Sequence, residues 1–261
     1  RVADGATVWT TAALDGPVFG APTTVVSSSG VVDAVLVGTT AGTVAALDAR
    51  TGVKKWALDV AAPVFAPLAT TATSLVVFGA VDGRHGAIDV ATGAARWGVV
   101  AATRDAGVFA RPIVLSEAVV LFADNRGRLT ARDAFSGTKR WTRDVSAASI
   151  FATPALVLLP PRGSLEKRLL VVVVDTAGRV SVVDGRDGRD VAPPIELGAK
   201  VFSSPLVMAL DDDDDVEVAS PRRRRLVRIL VGARDDRLHA VDLLLAVSTA
   251  AQTAQSTTTT T

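Results

Sequence analysis

Gly42-Thr-Val-Ala-Ala-Leu-Asp48-Ala-Arg-Thr-Gly52-Val-Lys-Lys-Trp56 is the stretch whose reading decides the fold. Its first half alternates and ends on an acid, as a half-buried strand running into a turn does. The Asp48 carboxylate can accept hydrogen bonds from backbone N–H groups two or three residues on, which nucleates a tight turn. Gly52 supplies the positive-φ position that lets the chain reverse. Trp56 then stands on the returning strand.

The module recurs. Asp89, Gly93 and Trp97 repeat the spacing, as do Asp133, Gly137 and Trp141; Asp184 and Gly188 repeat it with Ala192 in place of the Trp. A Val-Phe-x-x-Pro element, or a near copy of it, precedes each module and places Phe19, Phe65, Phe109, Phe151 and Phe202 between 42 and 51 residues apart. Between the two elements lie apolar runs: Val35–Gly38, Leu75–Gly79, Val119–Ala123, Leu170–Val174 and Ile229–Gly232. Four short strands every ~40–50 residues predict a β-propeller. A helical solenoid is disfavoured, because no stretch sustains a 3.6-residue apolar period over three turns. The leucine-rich alternative has too short a repeat, ~20–29 residues.

The expected fold is therefore all-β, a propeller of four-stranded antiparallel blades with five repeats counted over residues 1–247. A charged insertion spans 211–225, with Asp211–Asp215 and Arg222–Arg225 as a solvated loop of opposite charges. Residues 248–261 form a Ser/Thr-rich tail expected to be disordered. On the strand that ends in Asp, Ala46, Ala87, Ala131, Val182 and Ala240 share one face. These small side chains leave room for a bulky neighbour from the adjoining sheet, and Trp is the expected filler.

The ends carry complementary halves of a blade. Gly5 and Trp9 have the spacing of a fourth strand, whereas the last repeat stops at Asp242 without one. Pairing of Val8 and Trp9 beside Leu238–Asp242 would close five blades and cover two sheet edges. The rival arrangement is an open arc of a seven- or eight-bladed propeller. The chain opens in mid-pattern with neither an initiating Met nor a secretory signal, which reads as a fragment of a longer, cytoplasmic polypeptide.

The motif Ala-x-Asp-x-x-Thr-Gly-x-x-x-Trp resembles the blade-docking motif of the quinoprotein alcohol dehydrogenase-like (PQQ-like repeat) propellers. Over the last hundred residues, Ile150–Pro154, Val171–Asp175, Val201–Pro205 and Leu230–Leu244 resemble the C-terminal propeller of the β-alanine-activating enzyme family, acyl-CoA synthetase family member 4. That resemblance implies an accessory domain whose adenylation and carrier partners lie elsewhere, since neither an adenylation loop nor a carrier Ser motif occurs here. The family's propeller has more repeats than the five counted.

Composition narrows the function classes. With 28 Lys+Arg against 27 Asp+Glu the net charge is +1, so nucleic acid is not an expected partner. No apolar run approaches the length of a membrane span, so no membrane partner is expected. There are no cysteines, which removes disulfides, thiolate metal sites and a Cys nucleophile. It also removes the vicinal disulfide that the quinoprotein resemblance implies over the cofactor. Asp124-Asn125 could offer oxygen ligands but occupies a turn that favours those residues. His85 replaces an apolar residue and His239 lies in an alternating strand; packing is the expected role of both, and no metal or cofactor is expected.

The Phe series is expected to pack the innermost strands, with Thr153, Ser203 and Ser204 lining a central channel. Arg234 and Asp235 form a charged turn that could meet a partner. The sequence thus points to a non-catalytic protein-interaction or scaffolding domain, contacting a protein partner or other domains of its own polypeptide. A PQQ-dependent oxidoreductase is the alternative. An outer-membrane assembly propeller of bacterial type is a third option, which calls for a lipoprotein signal and a Cys that this sequence lacks.

Overall fold

The structure is a computed structural model that describes residues 5–27, 29–101, 106–159, 168–210 and 224–246. The described residues form antiparallel sheets without a helix, so no helix is long and apolar enough to cross a membrane. Five sheets follow one another along the chain. The first holds β1 (Thr23–Val26), β2 (Val32–Gly38), β3 (Thr43–Asp48) and β4 (Lys54–Asp59). The second holds β5 (Ala69–Thr70), β6 (Leu75–Gly79), β7 (Arg84–Asp89) and β8 (Ala95–Ala101). The third holds β9 (Ile113–Ser116), β10 (Val119–Ala123), β11 (Arg128–Asp133) and β12 (Lys139–Asp144). The fourth holds β13 (Ala155–Leu159), β14 (Arg168–Val174), β15 (Arg179–Asp184) and a short β16 (Ile195–Glu196). The fifth has three strands, β17 (Leu206–Leu210), β18 (Arg224–Gly232) and β19 (Leu238–Ala246).

Each sheet is a meander, and the sheets are the blades of a β-propeller. First strands approach the first strands of neighbouring blades: β1 meets β5, β5 meets β9, and β13 meets β17. They are therefore innermost, and the Asp-ended third strand and the Trp-bearing fourth strand lie progressively outward.

The core is a series of inter-blade layers. One face of blade 1, with Leu36, Val44 and Ala46, packs on Val76, Phe78 and Ile88 of blade 2. Leu121, Leu129 and Ala131 of blade 3 pack on Val171, Val173 and Val183 of blade 4. Val172, Val180 and Val182 of blade 4 pack on Val227, Ile229 and Val231 of blade 5. Period-2 alternation sends successive side chains to opposite blade faces, so interior strands read as almost continuous Val and Ala.

Three expectations are corrected. First, Ala46 shares its layer with Val76 and Phe78 of blade 2, and the Trp packed against that layer is Trp56 of its own blade. Trp56, Trp97 and Trp141 instead lie directly opposite Ala46, Ala87 and Ala131 within their own blades. Second, Val8 and Trp9 belong to no strand, and β19 pairs only with β18 among the described residues. The Trp9 indole N–H donates to Ala49 O of blade 1 at 3.0 Å, which draws the segment onto the first blade. Third, Ala46, Ala87, Ala131 and Val182 are buried but Ala240 is exposed, together with Leu238 and Leu244. Among the described residues, no blade lies against the outward face of blade 5. Asp211–Asp215, Arg222, Arg223 and the 248–261 tail lie outside the described residues, whereas Arg224 and Arg225 begin β18.

Candidate functional site

The Asp-Gly-Trp module is a structural joint. Asp48 Oδ1 accepts from Arg50 N at 3.1 Å, Thr51 N at 2.8 Å and Thr51 Oγ1 at 2.8 Å. Asp89 repeats this with Ala91 and Thr92, and Asp133 with Phe135 and Ser136. Asp184 takes Arg186 N at 2.9 Å. These bonds favour the ionised carboxylate: the Thr51 hydroxyl lowers the pKa of Asp48, and the Thr92 N–H that of Asp89. The Ser136 N–H, then Arg140, bring Asp133 down to about 2.

Gly52, Gly93, Gly137 and Gly188 have φ of 72°, 74°, 70° and 74°. Each also seats a ring from the preceding segment or blade. A Cβ on Gly93 would lie 2.7 Å from the Trp56 ring, on Gly137 2.6 Å from Trp97, on Gly188 2.7 Å from Trp141, and on Gly52 2.4 Å from Trp9. The indole N–H of Trp56 donates to Val90 O at 2.7 Å, and that of Trp97 to Ala134 O at 2.8 Å. Trp141 Nε1 is buried with no partner.

The opposite end of the strands carries an arrangement that the spacing did not reveal. The segments leading into each first strand are laced to the turns between second and third strands. Val64 N donates to Thr39 O, and Val81 N to Pro63 O. The same pair of bonds recurs as Val108 N to Ala80 O and Asn125 N to Gly107 O, then as Ile150 N to Asp124 O and Thr176 N to Ser149 O. This band holds the five Phe residues side by side. Ring centroids are 5.1 Å apart for Phe19–Phe65, 6.3 Å for Phe65–Phe109, 5.1 Å for Phe109–Phe151 and 6.3 Å for Phe151–Phe202. Edge-to-face and stacked contacts alternate, as ring quadrupoles prefer. These rings are not packed inside the innermost strands, as expected from sequence. They form an aromatic arc whose ends are open, with Phe19 75% and Phe202 48% exposed.

The small polar residues stitch this band together. Thr153 Oγ1 accepts from Arg111 N, Ser204 Oγ from Thr153 N at 3.0 Å, and Ser203 Oγ donates to Gly232 O at 2.7 Å. Ser203 and Ser204 are exposed and Thr153 half-buried. The Arg234 guanidinium sits 4.7 Å over the Phe202 ring, a cation–π contact capping one end of the arc. Asp235 turns away from it and meets His239 Nε2 at 3.0 Å. Desolvation is the largest single influence and opposes its charge, but the hydrogen bond and charge of His239 together with backbone N–H donors outweigh it, and the Asp235 pKa is lowered.

His85 is buried, as its apolar position implied, but sequence reasoning missed its partner. His85 Nδ1 lies 2.9 Å from Gly83 O, and Arg132 Nε–H donates to His85 Nε2 at 2.7 Å. An Arg N–H can only donate, so Nε2 is the unprotonated nitrogen and Nδ1–H bonds Gly83 O. Arg132 also donates to Gly137 O at 2.8 Å, bracing the seat of Trp97. Burial lowers the His85 pKa to about 4 against the raising effect of the Gly83 O hydrogen bond, and the Arg132 charge adds a smaller lowering effect. Arg132 stands where the other repeats have Leu47, Ile88 and Val183. Two polar residues on apolar strand positions of adjacent repeats were the available signal.

The family whose description is outer membrane protein assembly factor BamB, a PQQ-like repeat family, matches residues 2–192. The chain belongs to this family. No curated protein sequence matches it. Among solved structures it resembles BamB from Moraxella catarrhalis, at 17% identity over 91% of this chain and 85% of that one, with a TM-score of 0.48. It also resembles a computationally designed protein at 18% identity, covering 80% of this chain and 55% of that one, TM-score 0.56. A quinohemoprotein alcohol dehydrogenase of Pseudomonas putida HK5 is 17% identical, with coverage of 90% and 43% and a TM-score of 0.55.

In this BamB-family propeller the Asp124-Asn125 pair is divided between its own turn and an unpartnered oxygen, since Asn125 Oδ1 is buried with no hydrogen-bond partner among the described residues. Asp124 Oδ1 is taken by its own turn, accepting from Arg126 N and Arg128 N. Among the described residues, no three His, Asp or Glu side chains gather to hold a metal ion.

Proposed function

We propose that this chain is a non-catalytic scaffold that holds a partner protein, or other domains of its own polypeptide, against the aromatic arc. The observation that carries this reading is the unbroken row of five rings ending in exposed Phe19 and Phe202. Exposed apolar surface of this kind, set on a rigid hydrogen-bonded band, suits a binding anchor that costs little ordering on association. The family description, an assembly factor, is in keeping with a role in bringing proteins together.

The finer reading places the domain in a cytoplasmic β-alanine-activating, acyl-CoA synthetase-like protein, and rests on the sequence likeness of residues 150–244. Mass spectrometry of the native polypeptide tests it. An adenylation and carrier region in the same chain supports the reading, and a lipid-modified signal segment contradicts it.

The scaffold reading is tested by a photo-crosslinking phenylalanine analogue placed at Phe19 or Phe202, with exposed Val53 as the control. A discrete adduct from both Phe positions, absent from Val53, is expected. Identical patterns from all three would contradict it. A visible-absorbance titration with pyrroloquinoline quinone and calcium separates the oxidoreductase alternative, and no spectral change is expected.

A further inference from the structure

Among the described residues, blade 5 alone lacks a fourth strand. In blades 1 to 3 that strand is held from two sides. Trp56, Trp97 and Trp141 each lie opposite an Ala of their own blade and over a Gly of the next. Trp56 and Trp97 also donate the indole N–H to the carbonyl one residue past the next blade's Asp, at Val90 and Ala134. The equivalent residue for Trp141 is Gly185, and that bond is not made. Trp9 shows half of this arrangement. Its ring lies on Gly52 and its N–H donates to Ala49 O, yet residues 5–11 belong to no sheet. They stand where the outer strand of a blade would stand, without the strands inside it.

Blade 5 is the complementary half. β19 pairs with β18 from Leu238 to Ala246, and its other edge pairs with no described strand. Leu238 and Ala240 hold the positions that Val44 and Ala46 hold in blade 1, where the layer with blade 2 buries both completely. Here Leu238 is 69% exposed and Ala240 is exposed as well. A largely apolar edge of nine residues, with neither Lys nor Pro to blunt it, is a template for a further strand. No described core layer joins blade 1 to blade 5, so the two halves do not meet within one chain.

We propose that β19 of one copy takes residues 5–11 of a second copy as its fourth strand, joining the chains head to tail. Trp9 keeps its seat on Gly52 of its own copy and lies opposite Ala240 of the other, as Trp56 lies opposite Ala46. The same register sets Thr11 opposite Leu238, as Leu58 is opposite Val44. The ends of the aromatic arc meet in this contact: Phe202 of one copy stands beside Phe19 of the next, each an exposed ring with a neighbour on one side only. The two surfaces differ, so the contact is heterologous and repeats from copy to copy unless a ring closes.

The sequence has no Cys, which permits a directed disulfide. Antiparallel partners have Cα atoms about 4.5–5.5 Å apart, within disulfide reach. A Thr11→Cys chain mixed with a Leu238→Cys chain and oxidised is expected to give a two-chain product, and Val53→Cys in place of Thr11→Cys to give none. One chain carrying both Thr11→Cys and Leu238→Cys is expected to give a ladder of linked copies. Sedimentation of the unmodified chain should show a mass that rises with concentration above the 26.9 kDa of one copy. Ala240→Lys, at an exposed site, should return it to single copies with an unchanged circular dichroism spectrum. No product from the mixed pair, equal product with Val53→Cys, an intrachain disulfide in the double variant, or a single-copy mass at every concentration would each overturn the proposal. The purified chain is used alone, so the outcome is separate from partner binding on the arc.

Discussion

The junction between blades 2 and 3 and the junction between blades 3 and 4 use the same parts and end differently. In both, a Trp opposite an Ala of its own blade lies over a positive-φ Gly of the next. At the first, the Trp97 N–H meets Ala134 O, Trp97 is 8% exposed, and the buried His85–Arg132 pair closes the space behind it. At the second, Trp141 has no acceptor and a groove opens beside it. The Asp-Gly-Trp motif therefore brings two blades together, but whether the joint is sealed depends on the side chains behind it.

The largest effect that sharpens this contrast is expected at the sealed junction. Trp97→Ala removes a buried indole and should cost about 3–5 kcal/mol, whereas Arg96→Ala on the exposed side should stay within about 0.5 kcal/mol. Urea unfolding of the two variants decides it, and equal losses would break the comparison.

The next effect is a pH dependence belonging to that junction alone. His85 is held neutral in the folded chain down to about pH 4, whereas the unfolded chain takes up a proton near 6.5. Between those values the unfolded state binds more protons, so stability should fall as pH drops from 6.5 to 4 and level off below. The full loss is on the order of 3 kcal/mol. His85→Gln should flatten this slope in urea midpoints measured against pH. The Asp133 carboxylate, lowered to about 2, contributes stability that is lost only in the lower window between 3.8 and 2.

The smallest contrast is the most discriminating between the two joints. Trp56→Phe gives up a made hydrogen bond and should cost about 1 kcal/mol, leaving Val90 O without its donor. Trp141→Phe deletes a donor that bonds nothing, so it should be neutral or slightly stabilising. Paired melting curves in one buffer show whether the two changes differ in sign.

The blades were legible in the sequence because their signals are local. The Asp-to-Gly spacing sets a turn, the alternation sets which side chains share a face, and Gly42–Trp56 read in this way gives β3, its turn and β4 in register. What was not legible arises between blades. Trp9 carries the spacing of a fourth strand, but spacing does not say which sheet it joins, and the acceptor at Ala49 O drew it to the first blade instead of beside β19. The Phe repeat read as core because Phe is usually buried. Its arrangement, half-buried at Phe65, Phe109 and Phe151 and exposed at Phe19 and Phe202, follows from the backbone band laced between neighbouring turns, which no single repeat displays. Arg132 could have been paired with His85 only by knowing that one residue faces downstream and the other upstream across the same layer. The unmade bond of Trp141 has no sequence signal beyond the change to Gly185.

The central claim is that each Trp locks its blade onto the glycine seat of the next, and a double-mutant cycle on Trp56 and Gly93 tests it most directly. Gly93→Ala should cost about 1–2 kcal/mol for its φ of 74° and more for the collision with the indole. In the Trp56→Ala background the collision disappears, so the two losses should fall short of additivity by about 1 kcal/mol or more. Losses that add to within about 0.5 kcal/mol would mean that ring and glycine do not touch across the blades, and would contradict the account.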